Sequence, residues 1–464
     1  MRHACVTPCI RFAVRRLGVV LLLVCLAFLG APSVAMAHGI GGRLDLPVPL
    51  SYFVVGAGVV LVISFIALAV LWPDPRLQDG PRHEAARLTV RRGWLLPALG
   101  VIALFLVIGQ LIPPLFGLET DPTRPTIAPV LVWVVFWLVV PFAGAAIGDW
   151  YTDINPWRSL ARVLRVGRGE RTGLLDTLGV WPAAILLVAF TWLELVSPNS
   201  GSPVTLGAAA LAYTLGMMAA VAYAGRETGL AVFDAFTPYN RLISAISPLG
   251  RRGDGRLVWR GWLRSLTVLP AWRGLPAFVV VAIGTVTYDG ASATESFRAA
   301  MGDIGQTMFG ETLLLIGCVL AIGAAYWIAS WAAARMVGGG WTAGRVAMRF
   351  AHTLVPIALA YALAHYLTLI VFEGQQLIAA LSDPFALGWD LFGTADRKVD
   401  FFITAAEPVW YAQVAVIVTG HVLGVTLAHD RALGDFGKEA VRSQYAMLLL
   451  MVALTTLGLL ILAG

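Results

Sequence analysis

The chain has 464 residues, of which 58% are hydrophobic and only 13% are charged. Soluble domains carry about 25% charged residues, so the composition excludes an ordinary soluble protein. The net charge of +6 is not accompanied by a basic, aromatic-rich groove, which argues against nucleic acid as a partner.

Residues 1–37 have the three parts of a secretory signal peptide. A positive region is followed by the apolar core Leu17 to Leu29, and Ala35-Met36-Ala37 forms a small-x-small cleavage site. We expect cleavage after Ala37, with an uncleaved first span as the alternative. Of the four cysteines, only Cys318 follows this leader, which excludes a disulfide within the mature chain and a cysteine-based metal cluster.

Cleavage at this site would make His38 the first residue of the mature protein. A free α-amine and its own imidazole can chelate one metal ion through two nitrogens, a geometry that suits Cu(II). The alternative is an exposed histidine that happens to follow the cleavage site, because one histidine does not define a metal site.

Ten apolar runs follow the leader, and most are close to the 20 residues that cross a bilayer. They predict an all-α polytopic bundle, a single transmembrane domain over residues 38–464. The predicted spans are 50–72, 94–113, 127–148, 177–196, 203–224, 275–288, 311–334, 349–372, 408–428 and 445–462.

The loops between these spans divide sharply by charge. If alternate loops are cytoplasmic, 24 of the 33 Lys and Arg residues lie inside, 5 lie outside and 4 lie in the leader. This positive-inside asymmetry predicts a bacterial plasma-membrane protein whose mature N-terminus and C-terminus are both outside.

Two of the predicted cytoplasmic loops resemble each other. Asn155-Pro-Trp follows span three and Thr237-Pro-Tyr follows span five, each ahead of a basic amphipathic segment. The simpler interpretation is two interfacial helices, capped by Asn155 and Thr237, with Trp157 and Tyr239 at headgroup depth. The alternative is an internal repeat of the kind found in some transporters.

Ionisable residues inside apolar spans are candidates for function, because their desolvation has to be offset by partners. Span eight contains His352 and His365, and span nine contains His421. A haem held by two histidines needs them at similar depth in the membrane on facing helices. Only His352 and His421 meet this requirement, and no other histidine lies at the predicted depth of His365. No haem is therefore expected.

A second polar group lies towards the predicted outer face. Imidazoles and carboxylates placed together there could hold a divalent ion or activate a water molecule. The alternative is a set of independent rim residues. The candidate metal ligands are His38, His365, Glu194, Glu311 and Glu373.

Helix breaks and close packing are expected at defined positions. Pro141 and Pro356 lie inside predicted spans and predict local breaks, which can be tolerated kinks or can border a binding site. Gly420 and Gly424 flank His421 with small-xxx-small spacing, which favours close packing of two helices.

Three segments are distinctive together. They are the one that opens at His38 (HGIGGRLDLPVP), AHTLVPIALAY from Ala351, and GHVLGVTLAHDRAL from Gly420. With them the mature chain resembles a family of bacterial multi-pass membrane proteins often labelled fenitrothion hydrolase. The resemblance implies a membrane-bound hydrolase of organophosphate-type esters, and it assigns no catalytic residues.

The residues themselves favour metal handling at an outward-facing site built from these imidazoles and carboxylates, with copper as the favoured ion. The alternatives are a metal-dependent hydrolase in the same pocket and a transporter of a small solute. The expected partners are the lipid bilayer and a small ion or molecule.

The topology can be tested with reporter fusions. A reporter placed after Gly464 or within 373–407 should report the outside, and one placed within 225–274 should report the inside, because the basic loops are retained in the cytoplasm. A cytoplasmic signal from the C-terminal fusion would mean that the number of spans is odd.

Overall fold

Ten apolar helices make up the body of the protein in the computed structural model, which describes residues 49–78, 84–89, 93–251 and 256–463. The predicted signal peptide and His38 lie outside the described residues. The ten helices are α1 (Leu50–Leu71), α2 (Leu95–Leu115), α3 (Ile127–Ile147), α4 (Trp181–Leu195), α5 (Pro203–Ala224), α6 (Leu275–Ala293), α7 (Met308–Val337), α8 (Ala343–Ser382), α9 (Ala406–Ser443) and α10 (Tyr445–Ala463).

The predicted polytopic all-α bundle is confirmed. Among the described residues, nine of these helices are long and apolar enough to cross a membrane, and α4, with 15 residues, is shorter. At 1.5 Å per residue α4 is about 22 Å long. The span predicted to end at residue 288 continues as α6 to Ala293, so Asp289 lies inside a helix and not in a loop.

Shorter elements connect the spans on the side that the charges predict to be cytoplasmic. A small antiparallel sheet has the order β1-β3-β2, with β1 at Glu84–Thr89, β2 at Leu249–Arg251 and β3 at Arg256–Trp259. The short helices on this side are Tyr151–Ile154, Pro156–Val163, Gly173–Thr177, Arg226–Phe233, Phe236–Ser244 and Arg264–Thr267. Between α6 and α7 lie the helix Glu295–Met301 and the 3-10 turn Gly302–Gln306.

Glycines allow the helices to approach closely. A Cβ atom on Gly420 would lie 2.8 Å from the Pro356 carbonyl oxygen, and one on Gly424 would lie 3.0 Å from that of Thr353. Helices α8 and α9 are therefore in contact where the glycine spacing predicted close packing.

Two spans are irregular just ahead of the prolines that predicted breaks. In α3, residues Val130–Val139 form a π-helix that precedes Pro141. In α8, the 3-10 turn Ala351–Leu354 precedes Pro356. A proline cannot donate the next backbone hydrogen bond, so the turn before it is free to change pitch.

The two similar loop segments form helices that pack inside the bundle. Trp157 and Tyr239, which we expected at headgroup depth, are only 4% and 6% exposed. Asn155 caps the helix Pro156–Val163 as predicted, accepting a hydrogen bond from the Arg158 amide. Thr237 does not cap the second helix, which begins one residue earlier at Phe236.

Replacing Gly420 by alanine tests the contact between α8 and α9. The new methyl group would press on Pro356 and Ala360, so we expect Gly420→Ala to lower the free energy of unfolding by about 1–3 kcal/mol. The matched control is Gly216→Ala in α5, where a Cβ would meet nothing within 4 Å. Thermal unfolding of both variants in the same detergent is the measurement, and equal stability would contradict this packing.

Candidate functional site

An acid–imidazole pair lies inside the helical bundle, towards the end that the charges predict to be outer. His365 Nε2 in α8 is 3.0 Å from Asp289 Oδ2 in α6, within hydrogen-bonding distance. Both side chains are only about one-fifth exposed, at 19% and 22%. Charged side chains inside a membrane domain generally pair in this way, because an isolated charge is costly there.

A second carboxylate from a third helix adjoins this pair. Glu194 in α4 lies close enough to Asp289 to interact with it electrostatically, and its buried Oε2 atom has no hydrogen-bond partner among the described residues. The buried Tyr366 in α8 lies beside both carboxylates. We call Glu194, Asp289 and His365 the acid–imidazole cluster.

The close approach of α6 to its neighbours depends on the residue that follows Asp289. A Cβ on Gly290 would lie 3.0 Å from the Tyr361 hydroxyl oxygen and 3.4 Å from His365 Cε1, and it would also overlap Ile461 of α10. Tyr361 is buried, and its hydroxyl makes no hydrogen bond within the part of the chain that the structure describes. The Tyr361 hydroxyl beside the cluster is therefore available to a further group.

The π-helix of α3 lies behind the cluster. It carries Trp137, which is buried and stacks on Tyr239 with ring centroids 5.0 Å apart. Tyr239 in turn lies close enough to Glu194 to interact with it electrostatically. π-helical turns are frequent at functional sites.

The structure brings together only some of the predicted metal ligands. His365 and Glu194 share Asp289 as a neighbour, whereas Glu373 accepts a hydrogen bond from Gln376. Glu311 adjoins Tyr288, the residue before Asp289. Among the described residues, no three His, Cys, Asp or Glu side chains are grouped closely enough to hold a metal ion. His38 lies outside those residues.

Two outer glutamines that could have joined this group are bonded to the backbone. Gln413 in α9 donates to the Ala364 carbonyl at 2.9 Å, and Gln110 in α2 donates to the Pro384 carbonyl at 3.1 Å. Both amides therefore fasten neighbouring segments.

The histidines near the predicted cytoplasmic side have separate environments. His352 and His421 are buried, and the Nε2 atom of each makes no hydrogen bond to any described residue. His421 Nδ1 lies 2.9 Å from the Ile417 carbonyl one turn earlier on its own helix. His429 bridges the Trp72 carbonyl and Gln444.

Asp430, the next residue, is fully buried and binds the segment after α1 through hydrogen bonds. It accepts hydrogen bonds from the Trp72 indole at 3.1 Å, from the backbone amides of Arg76 and Leu77, and from the Gln78 side chain at 2.7 Å. Every one of these donors is supplied by a single short loop, which indicates a structural role.

Asp234 forms a second buried carboxylate centre. It is 0% exposed and accepts five hydrogen bonds. Complete burial raises its pKa above the usual range, and the donors oppose that rise. The donors are the hydroxyls of Tyr151, Tyr213 and Thr237, the Asn155 amide and the backbone N–H of Phe236.

Apart from Tyr213 of α5, the donors to Asp234 come from around the two loop segments that resemble each other in sequence. Asn155 Nδ2 also lies 3.4 Å from Thr237 Oγ1, its counterpart in the other segment. The two segments therefore face each other, with Asp234 between them. An internal repeat would be compatible with this arrangement. Whether the two segments are a repeat is still a prediction.

Comparisons of the chain with protein-family models, with curated proteins and with solved structures find no match. The described part of the chain therefore defines the class, a multi-pass helical membrane protein, from its own geometry. What it does in the membrane has to be argued from the acid–imidazole cluster.

Proposed function

We propose that this protein is a transporter that couples the movement of a small solute to protons, and that the acid–imidazole cluster binds the coupling proton. The observation that carries the proposal is the contact of Asp289 with His365 inside the bundle, with Glu194 beside it. Titratable residues within membrane domains commonly form proton relays and ion pathways.

The origin of the three side chains supports coupling. Glu194, Asp289 and His365 belong to α4, α6 and α8, so a proton bound among them changes the attraction between three helices at once. A ligand shifts a conformational equilibrium only if it binds one arrangement better than another, and we expect a proton shared by three helices to do so. The 3-10 turn in α8 gives one of these three helices a place to bend, and the π-helix gives α3 another.

Proton binding can be tested before the solute is known. The full mature protein is reconstituted in liposomes on a solid-supported membrane, and a pH jump should displace charge as the cluster binds protons. We expect Asp289→Asn, Glu194→Gln and His365→Gln each to abolish most of this displacement. The control is Glu373→Gln, because Glu373 lies on the same helix as His365 and is already bonded to Gln376.

Undiminished charge displacement in all three variants, with folding verified by thermal unfolding, would contradict the proposal. Ester hydrolysis by the same preparation, lost in Asp289→Asn, would instead assign the acid–imidazole pair to activation of a water molecule.

A second candidate, copper handling, is favoured by the orientation of His365. Its Nε2 atom is paired with Asp289, so Nδ1 is the nitrogen that remains to bind a metal. A carboxylate on the other ring nitrogen is the usual way in which proteins orient a metal-bound histidine. The remaining ligands would be the amine and imidazole of His38, once the signal peptide has been removed.

Metal analysis of the purified mature protein separates the two candidates. If one copper ion is shared, His38→Ala and His365→Ala should each lower the metal content, and the double variant should lower it little further, because members of one site are not additive. His83→Ala is the control. Unchanged metal content in all variants would contradict copper handling and leave the transport proposal. Loss of metal in His352→Ala would place the metal site on the predicted cytoplasmic side of the membrane.

A further inference from the structure

A cavity of about 270 Å³ lies between α2, α3, α4 and α5, apart from the acid–imidazole cluster. Small residues leave the space, among them Ala103, Ala189 and Ala210. Ala189 is exposed on the short helix α4, so the cavity borders the outer surface of the bundle there.

Aromatic side chains form much of the wall. Phe136 and Phe236 meet edge to face with ring centroids 4.5 Å apart, and Phe190 meets Phe236 in the same way at 4.9 Å. Trp157 packs on Tyr213 at 4.9 Å. Aromatic rings in such arrangements present both faces and edges to a further ring.

The polar atoms on these walls already have partners. The hydroxyls of Tyr151 and Tyr213 donate to Asp234, and the Trp157 indole donates to Thr214 at 3.1 Å. A ligand would therefore gain no hydrogen bond from these side chains. Charged or strongly polar molecules would lose their hydration without compensation.

The volume limits the size of the occupant. An apolar cavity of about 150 Å³ stays dry and accepts benzene, so 270 Å³ accommodates about ten carbon atoms. That is less than a complete lipid acyl chain and fits a compact molecule of one or two rings.

We infer that this cavity is a binding site for a compact, uncharged apolar molecule of about ten carbon atoms that enters from the bilayer. The site requires neither the acid–imidazole cluster nor a metal, so it can be tested separately from the proposed function.

Photolabelling in nanodiscs tests the site. An apolar diazirine probe of naphthalene size is activated by light, and the labelled peptides are identified by mass spectrometry. We expect saturable labelling around Phe190 and Ala210 that excess naphthalene displaces. Ala210→Phe, which fills the cavity, should reduce this labelling about tenfold, equivalent to 1.4 kcal/mol in probe affinity. The control is Leu215→Phe on the lipid-facing side of α5, where Leu215 is 63% exposed.

A second measurement covers the case in which Ala210→Phe unfolds the protein. Naphthalene should raise the melting temperature of the unaltered protein, because a ligand that binds only the folded state stabilises it. It should not raise that of Ala209→Leu. Labelling that naphthalene does not displace, equal labelling in a folded Ala210→Phe variant, or labelling only by a photoreactive phospholipid chain would each overturn the inference.

Discussion

Inside the hydrocarbon of a membrane no water is available to an unpaired polar group, and this constraint explains most of the polar contacts in the bundle. Asp234 and Asp430 are each surrounded by donors from distant parts of the chain. Gln110 and Gln413 are bonded to carbonyl groups. Where polar side chains are so thoroughly paired, the remaining unpaired atoms are informative.

Two of those unpaired atoms belong to side chains that share Asp289 as a neighbour. Glu194 Oε2 and the Tyr361 hydroxyl lie near Asp289 and His365, and neither has a hydrogen-bond partner in the described ranges. A site that binds a proton or a cation needs this incomplete pairing, because a fully satisfied centre such as Asp234 has nothing left to offer. Because of this contrast we propose a functional role for the acid–imidazole cluster and a structural role for Asp234.

The sequence was sufficient to predict the helices, because hydropathy and the spacing of glycines and prolines are local properties. The ends of helices were less certain. Span six was expected to stop before Asp289, since a carboxylate is costly in hydrocarbon, but His365 offsets that cost and the helix continues to Ala293. An ionisable residue at the edge of an apolar run was the feature of the sequence that could have indicated the position of Asp289 inside the helix.

The contacts that give each carboxylate its environment could not be predicted in this way. Asn155 and Asp234 are 79 residues apart, and no periodicity indicates that they meet. The buried position of Tyr239 was also missed, because an amphipathic helix that faces a bundle and one that faces headgroups have the same pattern. The apolar cavity depends on the packing of four helices and has no local signature.

The five donors to Asp234 have a consequence for biogenesis. Tyr151, Asn155 and Tyr213 all precede Asp234 in the chain, so synthesis from the N-terminus delivers these partners first. The carboxylate therefore reaches a prepared set of donors as it is inserted. The donors to Asp430 also precede it in the chain, in the loop after α1. They stay hydrated and without Asp430 until eight further helices have been inserted. That loop should remain accessible to proteases until the nascent chain is nearly complete.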